Sequence, residues 1–171
     1  MSERAGKVAP LDPERLIAVL AAHNVRYILI GALGARMQGF PRMTADADIT
    51  PARDDENLKH LAAALRELHA RVFTESVPEG LTFDFTARSL ANSELWNLVT
   101  SAGRLDIAFV PSGTTGYDDL VRGAVHFDVN GSQLQVARLE DIMRSKIASD
   151  RPQDRQDVVL IHEMLEKRGA D

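Results

Sequence analysis

The chain has 171 residues, 44% of them hydrophobic and 26% charged, with a formal net charge of −5, which is the size and balance of one ordinary domain able to bury its own core. The acidic balance excludes a broad basic surface for non-specific nucleic-acid binding and leaves only a local basic groove for an RNA partner. With no cysteine, disulfides, thiolate zinc sites and a cysteine nucleophile are excluded, so any metal would be held by oxygen or imidazole.

In chain order, residues 1–10 are expected to be flexible and lack the apolar run of a signal peptide. No later stretch reaches the roughly 18 apolar residues of a membrane span, so a cytoplasmic protein without a membrane partner is expected. Leu11-Asp12-Pro13-Glu14 opens a helix, with Asp12 as N-cap, proline at the first helical position and Leu11 placed to staple onto Leu16. A turn at His23-Asn24 leads to a strand at 26–30, and Gly31 opens a short helix over 32–38 whose amides could face an anion. The next strand carries Asp46 and Asp48, and Asp54-Asp55-Glu56 starts a second long helix with leucines at 58, 61, 65 and 68.

Residues 71–88 read as two strands around a Pro78-Glu79-Gly80 turn, because Thr82-Phe83-Asp84-Phe85-Thr86 alternates at period two. Leu95–Val99 and Leu105–Val110 read as a hairpin around Ser101-Ala102-Gly103. A loop follows to Gly116, then a short helix over 117–122. Val125–Val129 and Leu134–Val136 form a second hairpin turning at Asn130-Gly131. Two helices, 139–148 and 154–167, are divided by Pro152 and close the chain as a helical pair over 138–168. Nothing in the composition divides these elements, so a single α/β (α+β) domain is expected over 1–171, with a mixed sheet flanked by helices and a helical C-terminus.

Period two makes Asp46 and Asp48 project from the same side of their strand while Ala45, Ala47 and Ile49 face away. Two crowded carboxylates repel, and a divalent cation turns that repulsion into binding; hard oxygen ligands suit Mg²⁺, or Mn²⁺, with room left for substrate phosphates. A third carboxylate is expected at Asp106, which sits in an apolar strand where a charge needs pairing or a metal. Asp84, between Phe83 and Phe85, is the rival, and pairing of Asp106 with Arg104 on a solvated strand face is the alternative for Asp106 itself. Arg36, Arg42 and Lys146 are candidates to hold phosphate oxygens, and Thr44 either bonds a phosphate or ends its loop. The five histidines show no ligand spacing, Trp96 reads as a packing residue, and Gly31-x-x-Gly34 matches neither a dinucleotide nor a P-loop motif.

The strand, the Gly31-Ala32 pair, the helix and then Thr44-Ala45-Asp46-Ala47-Asp48 resemble the nucleotidyltransferase superfamily related to DNA polymerase beta. Within it, the Tyr27–Pro51 block, Arg104-Leu105-Asp106, Gly116-Tyr117-Asp118-Asp119-Leu120 and the late Lys146-x₄-Arg151-Pro152-x-Asp154-x-x-Asp157 signature resemble the bacterial AbiEii-like (MenT-type) branch. The resemblance implies a nucleotidyltransferase fold, an NTP donor and Mg²⁺ dependence, with Asp46, Asp48 and Asp106 as catalytic and metal-binding residues. It places Gly31, Ala32, Arg36, Arg42, Thr44 and Lys146 at the nucleotide. For that branch it further implies a toxin acting on tRNA ends and paired with an antitoxin protein. Ala32 departs from the usual serine and removes a hydroxyl from the phosphate end. A catalytically silent homologue that binds nucleotide or protein as an antitoxin or regulator, and a small-molecule (antibiotic) nucleotidyltransferase, are the alternatives.

Overall fold

Proline and aspartate set the first element of the structure, a computed structural model that describes residues 8–170. The expected flexibility of residues 1–7 lies outside the described residues. From Pro10 on, the chain is tied down, since the Pro10 and Leu11 backbone lies against Gly103 and the Asp12 amide donates to Ala102 O at 2.9 Å. Helix α1 (Pro13–Ala22) starts where Asp12 accepts from the Arg15 amide, satisfying one of the first-turn donors that lack a helical partner.

Strand β1 (Tyr27–Ile30) runs directly into α2 (Gly31–Met37), and an irregular connector leads to β2 (Asp46–Pro51). Helix α3 (Asp55–Glu67) is capped by Asp54, β3 is only Arg71–Val72, and α4 spans Ala87–Ala91. Strands β4 (Leu95–Thr100) and β5 (Gly103–Ala108) form a hairpin. Helix α5 (Tyr117–Leu120) tightens into a 3₁₀ turn over Val121–Gly123. A second hairpin, β6 (Val125–Val129) and β7 (Ser132–Val136), precedes α6 (Leu139–Ser149) and α7 (Pro152–Gly169). No helix among the described residues is long and apolar enough to cross a membrane.

The strands make one mixed sheet in the order β3-β4-β5-β2-β1-β7-β6. Pairs β2–β5 and β1–β7 are parallel and the others antiparallel. Helices flank both faces. On one, Leu16 and Leu20 of α1 and Leu61 and Leu65 of α3 bury against Leu29, Ile49, Leu98 and Leu105; a leucine fully removed from water contributes about 2 kcal/mol. On the other, a smaller cluster gathers Ile28, Phe40, Leu120, Leu139, Ile142 and Ile161 under α5, α6 and α7.

The second strand expected within residues 71–88 does not form. Leu81 makes a single bridge to Val72, and the chain then leaves the sheet. The alternation at Phe83 and Phe85 has another cause: both rings pack on Trp96, with centroids 5.3 Å and 6.0 Å away, without a strand partner for the backbone. The next residues turn into α4, whose first two residues, Ala87 and Arg88, were expected at the end of that strand, because Thr86 and Ser89 cap each other's amides in a reciprocal box.

Candidate active site

Ala47 and Ile49 are buried in the larger core, so Asp46 and Asp48 leave β2 on the opposite face. The parallel register places Asp48 opposite Asp106 and Asp46 opposite Arg104 on β5. Adjacent strands lie about 4.8 Å apart, so the structure brings the three carboxylates into one patch with a single arginine. Asp84 stays outside it, exposed on the irregular segment before α4.

Arg104 bridges the patch. Its Nε is 3.9 Å from Asp46 Oδ1 and its Nη2 is 3.9 Å from Asp106 Oδ1, ion-pair distances too long for hydrogen bonds. The guanidinium lies 3.9 Å from the centroid of the Phe73 ring, a cation–π contact. Consequently Asp106 Oδ1 and Arg104 Nε are buried polar atoms with no hydrogen-bond partner.

Electrostatics record the crowding. Burial, and then the charges of Asp106 and Asp46, push Asp48 up to about 7, against the pull of Lys146 and Arg151. Asp106 is pushed up to about 6 by burial and by Asp46, with Arg104 opposing. Gly31 is part of the same arrangement: its φ is +66°, and a Cβ there would run into Asp48 Oδ2. Only glycine allows this turn and this carboxylate to share the space.

The corner between α6 and α7 supplies positive charge. Asp157, side chain 2% exposed, accepts both Arg42 Nε at 3.1 Å and Arg42 Nη2 at 2.7 Å, and also Lys146 Nζ at 2.9 Å. Asp154 holds Arg151 Nε at 2.9 Å and lies 3.7 Å from Lys146 Nζ. Thus Arg42 and Lys146, expected at phosphates, stand in an ion-pair network whose carboxylates hold their side chains in place. Arg36 is exposed on α2 and makes no ion pair among the described residues. The Thr44 hydroxyl donates to Asp46 O at 3.1 Å and accepts from the Asp46 amide at 3.3 Å, which fixes the end of the connector. Ala32 is buried in the first turn of α2.

Arg104, Arg151, Asp154 and Asp157 are the parts of this site to which reading the residues alone gave no role in the chemistry. A signal existed for the aspartates: positions 154, 157 and 161 fall on the buried side of α7, and a carboxylate in a helix's core stripe requires a cation.

Toward a divalent ion, the chain offers hard, partly desolvated oxygens, one of them unpartnered, which fits Mg²⁺ or Mn²⁺ in donor type. As they stand, no three His, Cys, Asp or Glu side chains among the described residues are close enough to hold a metal. Arg104 provides positive charge between Asp46 and Asp106, and Lys146 and Arg151 act on Asp48.

No model of a known protein family matches the chain, and no curated protein matches its sequence. Solved structures do. The antibiotic-resistance factor ANT(2'')-Ia is 16% identical over 89% of this chain and 83% of its own, with a TM-score of 0.53. A Thermotoga maritima protein provisionally assigned as a nucleotidyltransferase is 16% identical over 93% of this chain and 97% of its own, with a TM-score of 0.53. The lincosamide antibiotic adenylyltransferase LnuA, bound to lincomycin, is 14% identical over 90% of this chain and 98% of its own, with a TM-score of 0.56. At such identity the likeness is one of fold: a mixed sheet flanked by helices, the nucleotidyltransferase fold.

Proposed function

We propose that the protein is a cytoplasmic, metal-dependent nucleotidyltransferase that moves a nucleoside monophosphate from an NTP to an acceptor hydroxyl. The observation that carries this reading is the pairing of Asp48 with Asp106 across adjacent parallel strands, with Asp46 on the same face. Burial, and then the repulsion among them, raises Asp48 and Asp106 toward neutrality, which suits a site built for added positive charge.

In this reading Asp46, Asp48 and Asp106 hold Mg²⁺ or Mn²⁺, which when bound neutralises charge on the donor phosphates and the leaving pyrophosphate. Lys146 and Arg151, whose charges act on Asp48, face the phosphate end, and Arg42 reaches the same corner through Asp157. Asp157 and Asp154 hold those cations in ion pairs. Asp106, a carboxylate opposite Asp48 on the same face, takes the proton of the attacking hydroxyl. The acceptor oxygen bonds to the α-phosphorus, the bond from that phosphorus to the bridging oxygen of the β-phosphate breaks, and pyrophosphate leaves with the electron pair.

Resemblance to the AbiEii-like branch supports a tRNA 3′ end as acceptor and a toxin role opposite an antitoxin. The fold shared with LnuA and ANT(2'')-Ia supports a small-molecule acceptor instead. A different reading, a catalytically silent homologue acting as antitoxin or regulator, is favoured by one observation, the bridging of Asp46 and Asp106 by Arg104. Incubation with each α-labelled NTP, Mg²⁺ and fractionated cell extract separates the enzyme from the silent homologue. Transfer of label to any extract component, abolished in Asp48→Asn, supports the enzyme; an absence of transfer with every NTP contradicts it.

A further inference from the structure

The two edges of the sheet end differently. Strand β3 is two residues long, and Val72 already exchanges both backbone bonds with Leu81 on its outer side, at 2.9 Å and 2.7 Å. Strand β6 runs over five residues, Val125–Val129, and holds no proline or lysine, the residues that commonly keep a bare edge from pairing. The hairpin fixes which of its backbone groups are bare. Asn130 and Gly131 have φ of +52° and +86°, the two-residue turn that closes with a bond between the carbonyl before it and the amide after it. Val129 therefore bonds to Ser132, and by alternation Phe127 bonds to Leu134 and Val125 to Val136. The N–H and C=O of His126 and Asp128 point the other way, where no strand lies among the described residues.

We propose that this edge pairs antiparallel with the same edge of a second copy, about a two-fold axis through Phe127, so that two sheets become one. Val125-His126-Phe127-Asp128-Val129 is its own complement in that register. His126 meets Asp128 of the partner subunit, Asp128 meets His126 of the partner subunit, and each of these pairs exchanges two backbone bonds between groups that are otherwise bare. Both side chains are exposed and share one face of the sheet. Asp128 accepts from the Gly131 amide at 2.8 Å and from Gln133 Nε2 at 3.3 Å, which leaves lone pairs for an imidazole N–H. On the other face Phe127 meets its own copy at a close, non-hydrogen-bonded position, flanked by Val125 against Val129. Phe127 and Val129 are half-buried at the rim of the larger core and Val125 is 37% exposed, so the second copy extends that core across the edge. Charge selects the register and the partner. Sliding the strands by two residues sets Asp128 against Asp128 or His126 against His126, and both pairs of unlike groups are lost. Strands β7 and β1 separate β6 from the carboxylates of β2, so the pairing leaves that patch as it is and does not depend on the transferase reading.

Light scattering of the full chain at concentrations from about 1 µM to about 1 mM tests this. A reversible equilibrium between monomer and dimer is expected. His126→Asp sets a carboxylate opposite each Asp128 and is expected to raise the dimer Kd about tenfold. The exchange His126→Asp/Asp128→His restores both unlike pairs and is expected to bring the Kd back toward the wild-type value. His126→Pro removes one outward N–H from each copy without touching the bonds to β7 and is expected to leave only monomer. Position 126 is exposed, so thermal denaturation is expected to show each variant folded. Because the exchange keeps composition and net charge, recovery of the dimer in it is a result that an unfolded variant cannot give. A chain that is monomeric at every concentration, a dimer that His126→Pro leaves intact, or a dimer weakened as much by the exchange as by His126→Asp overturns the proposal.

Discussion

Gly31 shows how much of the site depends on a single missing methyl group. Gly31→Ala combines a positive φ, which costs an alanine about 1–2 kcal/mol, with a collision between the new Cβ and Asp48 Oδ2. Thermal denaturation is expected to show that loss, and Mg²⁺-dependent NTP binding should fall far more than stability does. An alanine variant that binds NTP normally would show that Asp48 does not need its present position. Asp157 acts differently, through its partners: Asp157→Ala leaves Arg42 and the nearly buried Lys146 without their carboxylate, and denaturant unfolding should register a loss of about 3 kcal/mol. Asp48 carries the pH dependence. Its folded pKa, about 7, lies above the ordinary carboxylate value of about 3.9, so the folded protein binds the proton more tightly. Stability is then greatest below about pH 4 as far as this group is concerned, and is lost as pH rises toward 7. In metal-free buffer Asp48→Asn should therefore raise the melting temperature at pH 8 by about 10 °C and do little at pH 4; equal shifts at both pH values would contradict the assignment.

At the scale of elements, Asn57 is the joint between α3 and the sheet. It is fully buried, accepts from the Arg26 amide at 2.8 Å, and donates to Arg26 O at 2.9 Å and Ala52 O at 2.7 Å. Asn57→Ala strands those backbone groups and should cost about 2–3 kcal/mol in denaturant unfolding. Losing the α4 cap in Thr86→Ala should cost only about 1 kcal/mol in the same assay. Helices α1 and α3 were legible in the sequence because their signals are local: a proline or acidic first turn, an aspartate cap and leucines at helical spacing. Residues 82–86 were misread because aromatic alternation reports which side is buried, and Phe83 and Phe85 satisfy it by packing on Trp96 rather than by pairing in the sheet. The capping box Thr86-x-x-Ser89 was the competing local signal, and it prevailed.

For the whole molecule, the sequence disclosed which residues could meet but not how they meet. The alternation at Asp46 and Asp48 is local and readable, and the apolar setting of Asp106 marks it as unusual. That Asp106 lies opposite Asp48 depends on the parallel pairing of strands more than 50 residues apart, a fact of tertiary topology. The same holds for the α6–α7 corner, where Arg42 and Lys146 converge on Asp157 from two other parts of the chain. The account stands on these strands and that corner acting together on a metal and an NTP. Isothermal titration of each NTP, with and without Mg²⁺, into the wild-type protein and into Asp48→Asn/Asp106→Asn measures this directly. The account predicts binding of at least one NTP that requires Mg²⁺ and disappears in the double variant; binding that is indifferent to Mg²⁺ and survives both substitutions would contradict it.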